Sequence, residues 1–465
     1  MRCRLPTLIL LLQGALLAMF IVFVVYDEHA DAAAQSNTTK PMDNRLYSVF
    51  PLFKDIHAML FVGLGLLLAF MKLYGFSAMA FNFLVGNFGI QWALLVQGFF
   101  YHYWDGKIHL GMENVLNAEF ASVVVLISAG AVLGKTSPVQ LLLMGILEIP
   151  LFVVNEWLLT TYLKVVDVSG TIAIHVFACY FGLGVTQILY RPHLKSGHPK
   201  EITTSMTDLL SLLGTFFLWI YWPSFNAVLA RPGDAQHRAV LNTFIALSSC
   251  TMTTFALSSL MNKKGKLNLV HVQNATLAGG VAVGAAADMM ITPAGAFGLG
   301  CLGAMVCVFG FQYLTPFLSQ KLHLQDQCGI HNLHGLPGIV GTVGSIVAIL
   351  CSSEAIYGSS LYEIFPDRAA EHDIPAITST VVAETERSPT DQALYQAAGF
   401  GVTFAISLVG GYVTGLLLKM PFLGQPPDEF CFDDEPYFKV SESQKVTRYP
   451  GVDENGEAGL PLKDI

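Results

Sequence analysis

DVSGTIAIH, residues 167–175, and DQCGIHNLH, residues 326–334, each place an aspartate eight residues before a histidine, inside or at the edge of a long apolar run. Asp167 precedes His175 in the first copy and Asp326 precedes His334 in the second, with the copies 159 residues apart. Ionisable groups at membrane depth are costly and usually mark a transport path. A motif repeated in the two halves of a chain is also what an internal structural repeat leaves behind. These two stretches therefore pose the question of fold and of function together.

Around them the chain is a succession of apolar runs of the length that crosses a bilayer core. They fall near 7–26, 56–75, 80–103, 118–134, 138–162, 168–190, 207–229, 239–261, 269–291, 294–318, 327–350 and 393–418. Only 13% of the 465 residues are charged and mean hydropathy is +0.54, against roughly 25% charged in a soluble domain. The composition is that of an all-α polytopic membrane protein with about twelve transmembrane helices, and it excludes a water-soluble enzyme. The first run is longer than the roughly 7–15 residues of a signal-peptide core, so it is expected to be a retained span. The eight cysteines lie mostly within spans and form no CxxC, so neither a disulfide frame nor a zinc site is expected. No basic stripe points to nucleic acid, and no cofactor motif is present.

Twelve spans bring both termini to one side. With the N-terminus in the cytoplasm, 16 of the 25 Lys and Arg residues lie on that side, as the positive-inside rule demands. The Asn37-Thr38-Thr39 glycosylation sequon and the long acidic loop 351–392 then fall outside. The expected organisation is a cytoplasmic start and first helix (1–26), an extracellular glycosylated loop (27–55), a channel domain (56–418) and a cytoplasmic tail (419–465). The tail, opening on Pro, acids and aromatics, would dock on the inner loops or bind a cytoskeletal or scaffold partner.

Spans two to six and seven to eleven form two units of five, and an odd count turns the second upside down relative to the first. His175 and His334 then occupy the last span of their units. A second echo, Asn117-Ala118-Glu119-Phe120 against Asn274-Ala275-Thr276-Leu277, lies 157 residues apart in the third spans. If each helix began at its aspartate, eight residues of 1.5 Å would carry each histidine about 12 Å deep, bringing the rings together near the midplane. The same eight residues turn each aspartate about 80° away from its histidine. The aspartates are then expected to support helix ends, and the working pair is His175 with His334. Neutral imidazole offers one donor and one acceptor, so two facing rings can share a proton and still present polar edges to a solute. A metal site built from His175, His331 and His334 is the alternative, without thiolates or well-spaced carboxylates.

Five segments extend the pattern: NAEFASVVVLISAGAVLGKTSP (117–138), TIAIHVFACYFGLGV (171–185), FLWIYWPSFNAV (217–228), KGKLNLVHVQNATLAGGVAVG (264–284) and CGIHNLHGLPGIVG (328–341). They resemble the Rh glycoproteins, the animal branch of the ammonium transporter superfamily. The tail GQPPDEFCFDDEPYF and the loop LYEIFPDR look most like the non-erythroid C type. The resemblance implies inverted five-helix repeats, a homotrimer with one pore per subunit, pore histidines at His175 and His334, and a phenylalanine gate of Phe120 and Phe225. It implies supporting acids at Asp167 and Asp326, and ammonia, ammonium and methylammonium as substrates at the plasma membrane. Glu156 is expected near the outer vestibule, where acids raise the local cation concentration. A bare charge at the bilayer centre costs roughly 3 kcal/mol or more, so passage mainly as neutral ammonia is expected. A carbon dioxide channel and a structural membrane anchor are the alternatives.

Overall fold

The structure, a computed structural model, describes residues 4–33, 44–195, 197–369 and 387–439. The Asn37 sequon, part of the 351–392 loop and the distal tail lie outside the described residues. Among the described residues twelve principal helical segments follow one another: α1 Arg4–Phe23, α2 Leu46–Leu67, α3 Gly75–Tyr101, α4 Met112–Gly130, α5 Pro138–Tyr162, α6 Thr171–Ile188, α7 Ser205–Ala227, α8 Asp234–Met261, α9 in two pieces (Leu269–Ala275 and Ala278–Gly284), α10 Thr292–Leu322, α11 His331–Leu350 and α12 Pro389–Leu418. Among the described residues ten are long and apolar enough to cross a membrane. The other two are α7, diluted by Ser, Thr, Tyr and Trp, and α9, which is broken into Leu269–Ala275 and Ala278–Gly284. Broken spans of this kind occur where backbone lines a cavity.

Helix starts follow local chemistry. Ser137 and Ser388 each close a capping box, with Gln140 and Asp391, and each is followed by a proline at the first helical position. Thr204 closes a capping box with Thr207 at the start of α7, without the proline. At Asp105-Gly106 both residues have positive φ (52° and 76°), the requirement of a tight hairpin turn. That turn joins β2 (Tyr103–Trp104) to β3 (Lys107–Leu110), and β1 (Val24–Tyr26) adds in parallel to β3, tying the end of α1 to the α3–α4 connection.

Small residues let the helices touch backbone to backbone. A Cβ at Gly184 of α6 would sit 2.9 Å from the Leu408 carbonyl oxygen of α12, and one at Gly411 would run into the Phe181 carbonyl. The bundle's outside is apolar: α1 buries only Leu16, and Leu10, Leu17, Phe83, Phe216, Phe244 and Leu416 are exposed. This is the surface of a protein whose surroundings are hydrocarbon.

One end of the bundle is covered by residues 421–439. Phe432 is buried and its amide donates to the Gly134 carbonyl (2.9 Å). The Asp434 carboxylate accepts from the Phe76 and Ser77 amides at the start of α3 (3.0 and 2.7 Å). Arg191 pairs with Asp428, and Lys200 with Asp433, both at 2.6 Å. We call this end the tail face and the opposite end the loop face.

Candidate functional site

The two opening stretches fold alike. In each, a glycine in the left-handed region (Gly170, φ 71°; Gly329, φ 70°) turns the chain three residues after the aspartate, a backbone state that costs glycine little. A wide π-type turn follows, Thr171–Val176 in one and His331–Gly335 in the other, and it carries the histidine. Such turns concentrate at functional sites. The aspartate therefore does not open a continuous helix, and the depth and rotation expected for eight helical residues do not apply. Asp167 Oδ2 instead accepts from the Ile172 and Ala173 amides, both at 2.8 Å. The Asp326 carboxylate accepts from the Ile330 and His331 amides at 3.1 and 2.9 Å. Carboxylates there satisfy the free N–H groups of a helix start and complement its positive end.

Burial pushes Asp167 up to about 6, with the amide donors of Ala173, Ile172 and Thr171 pulling it back. Asp326 is raised by burial too, and the His331 and Ile330 amides oppose that.

The inverted halves bring the histidines together. His175 Nδ1 and His334 Nδ1 lie 3.0 Å apart, with ring centroids at 5.1 Å and planes 14° apart. Both are buried. Phe225 lies 5.8 Å from the His175 ring, and Phe120 meets Phe225 edge to face at 4.8 Å and 80°. The Trp222 indole stacks over His175 at 6.0 Å. It stands one turn before Phe225 on the same face of α7. That i, i+3 spacing was a usable signal for a residue the sequence motifs did not single out.

These rings cap a cavity of about 30 Å³ lined by His175, His334, Trp222, Phe225 and otherwise by Leu, Ile, Val and Met, including Leu277 at the break in α9. A site of that size holds about one or two water-sized molecules. His175 Nε2 and Trp222 Nε1 have no partner among the described residues. The cavity shares Leu64, Leu67, Ile127, Leu333 and His334 with a wider, more polar one of about 320 Å³ that holds Asp326, Glu201 and Asp208. Asp167 lines a third cavity of about 500 Å³ on the loop face, with Asp234 and Asp288. The repeat thus places one motif aspartate at a cavity on each side of the histidines.

Glu156 is not brought into this group. Its carboxylate takes a hydrogen bond from Gln97 (3.3 Å) on α3, and it lines none of these three cavities. His331 faces Tyr180 edge-on at 6.0 Å. Among the described residues no three His, Cys, Asp or Glu side chains converge as a metal site would require.

Comparison with known proteins decides the family: residues 15–435 match the model of the Ammonium Transporter Family. The chain belongs to this family. It is 48% identical over 453 residues to an ammonium transporter Rh type C of Canis lupus familiaris, covering 96% of each chain. It is 47% identical over 442 residues to an ammonium transporter Rh type B of Danio rerio, covering 95% of this chain and 94% of that one. Types C and B match equally, so similarity alone does not separate them. Among solved structures, Nitrosomonas europaea Rh50, described as a channel of the Rhesus protein family, aligns with a TM-score of 0.70 at 32% identity over 86% of this chain and 94% of that one. Mep2 of Saccharomyces cerevisiae shares the fold, with a TM-score of 0.63 at 19% identity over 86% of this chain and 92% of that one. The protein is thus a multi-pass membrane protein of a transporter family, not an enzyme.

Proposed function

We propose that this protein carries ammonia and ammonium across the plasma membrane, with methylammonium as a congener, and that the species crossing the centre is mainly neutral ammonia. The observation that carries this is the His175–His334 pair, placed in an apolar cavity below the Phe120–Phe225 contact. Edge-to-face rings without a polar handle oppose a hydrated ion. Below them, a molecule that has lost its water finds imidazole edges to hydrogen-bond, and no carboxylate among the cavity's lining residues to retain a cation. Asp167 and Asp326 support the helix starts that present the histidines. Glu156, standing apart, acts at most through its long-range field.

In this proposal the tail face is cytoplasmic, both termini lie there, Asn37 carries a glycan outside, and three copies assemble with one path each. The tail is also where a cytoskeletal or scaffold partner would attach. The apolar lining equally suits carbon dioxide, which is the second reading; a purely structural anchor would have no use for the paired histidines. Flux of ammonia and methylamine into liposomes tests the proposal against His175→Ala and His334→Ala. Both variants are expected to alter it, and unchanged transport in both would sink the pore assignment. Carbon dioxide flux that tolerates both substitutions while ammonia flux changes would support the gas as an additional substrate.

A further inference from the structure

Phe120 and Phe225 have no polar atoms of their own beyond the backbone, so the placement of their rings depends on how α4 and α7 are held. In both helices the residue just before the phenylalanine is tied to α2. Ser224 Oγ donates to Asp55 Oδ2 at 2.5 Å. Glu119, whose side chain is wholly buried, shares a hydrogen bond between its Oε1 and His57 Nδ1. Asp55 and His57 are two residues apart, which on a helix is about 200° of rotation, so one side chain reaches α7 and the other reaches α4. Ile56, between them, is fully buried and lines the cavity beneath Phe225.

The His57 ring is stacked on Phe53 (5.5 Å) and meets Phe61 edge-on (4.9 Å). Pro51 interrupts the helix hydrogen bonds on one side, and a wide turn at Met59–Gly63 does so on the other. The clamp-bearing segment is therefore a short piece of helix between two breaks in the ladder.

We propose that α2 sets the phenylalanine constriction: Asp55, through Ser224, and His57, through Glu119, are positioning residues that hold Phe225 and Phe120 in edge-to-face contact. The inference rests on the reading of those two phenylalanines as the constriction. Interhelical polar ties are common in membrane bundles; what distinguishes this pair is that one helix holds both ring-bearing helices at the residue adjoining the ring. Loss of either tie frees the ring-bearing helix at the residue next to its phenylalanine, so the expected signature is in selectivity.

The test is uptake by proteoliposomes containing the full chain, read as the ratio of methylammonium to ammonium flux. Phe120→Ala and Phe225→Ala are the reference variants. Asp55→Ala, Ser224→Ala and His57→Phe are expected to raise the ratio by about fivefold, the factor that one hydrogen bond of ordinary net worth represents. Asp55→Asn retains an acceptor for the Ser224 hydroxyl and is expected to hold the wild-type ratio. If the phenylalanine variants leave the ratio unchanged, the constriction itself is refuted. If they raise it while Asp55→Ala, Ser224→Ala and His57→Phe do not, the positioning role is overturned and the constriction stands. Equal effects of Asp55→Asn and Asp55→Ala would also overturn it, by tracing the effect to charge. Ser224→Ala removes a single oxygen and keeps the test open should Asp55→Ala fail to fold.

Discussion

Replacing His175 by phenylalanine removes both ring nitrogens and keeps a flat ring of similar size against Trp222 and Phe225, at present 6.0 and 5.8 Å away. The side chains lining the 30 Å³ cavity offer polar atoms only from His175, His334 and Trp222. An ammonia molecule at the centre then loses one partner and gains no compensating one. A buried hydrogen bond left unmade costs about 1–3 kcal/mol, and about 1.36 kcal/mol is a factor of ten in rate. His175→Phe is therefore expected to slow ammonia flux by about 5- to 150-fold. The assay is stopped-flow alkalinisation of proteoliposomes loaded with a pH-sensitive dye, at matched protein content and matched melting temperature. Carbon dioxide, with no hydrogen to donate, is expected to be affected less in the same vesicles. Ammonia flux within twofold of wild type would rule out a hydrogen-bonding role for the pair, because its polar edges would then contribute nothing to passage.

Three further outcomes follow from the packing and the charges. Gly411→Ala drives a methyl into the Phe181 backbone, and overpacking of this kind costs about 1–3 kcal/mol; a lower melting temperature of the solubilised protein is expected. Phe432→Ala empties a buried site under the tail face, a loss of about 3–5 kcal/mol, and limited proteolysis is expected to cut after residue 420 far sooner than in wild type. Asp167, raised to about 6 by burial, contributes stability that is complete below its ordinary carboxylate range and lost as pH rises through about 6. Melting of Asp167→Asn, measured relative to wild type from pH 4 to 7.5, is expected to shift upward across that window; a flat difference would contradict the buried carboxylate.

Much of the architecture was legible along the chain because run length is a local property. Each of the twelve apolar runs expected from the sequence overlaps a helical segment among the described residues, including the weaker α7 and the broken α9, although α2 begins at Leu46, ten residues before its run, and ends at Leu67. The repeat was legible too, since the 159-residue spacing recurs at aspartate, glycine and histidine together. Less legible was the direction in which a side chain leaves its helix. A uniform 100° per residue fails where Gly170 or Gly329 takes a positive φ and a wide turn follows, so the depth and bearing of each histidine could not be counted along the chain. Glu156 shows the same limit: its place in the sequence suggests an outer mouth, while the hydrogen bond from Gln97 on a neighbouring helix is visible only in the fold.

The membrane class, the span pattern, the inverted repeat and the residue types at its centre can be read along the chain, because they follow from hydropathy, spacing and the cost of buried charge. Which of those residues meet depends on how the helices pack. The 3.0 Å approach of His175 and His334, the crossing of Phe120 with Phe225, and the hold of one helix on both depend on packing between segments more than 50 residues apart. Pairwise geometry of that kind is set by ridges, glycines and local breaks in several helices at once, and no single stretch of sequence contains it.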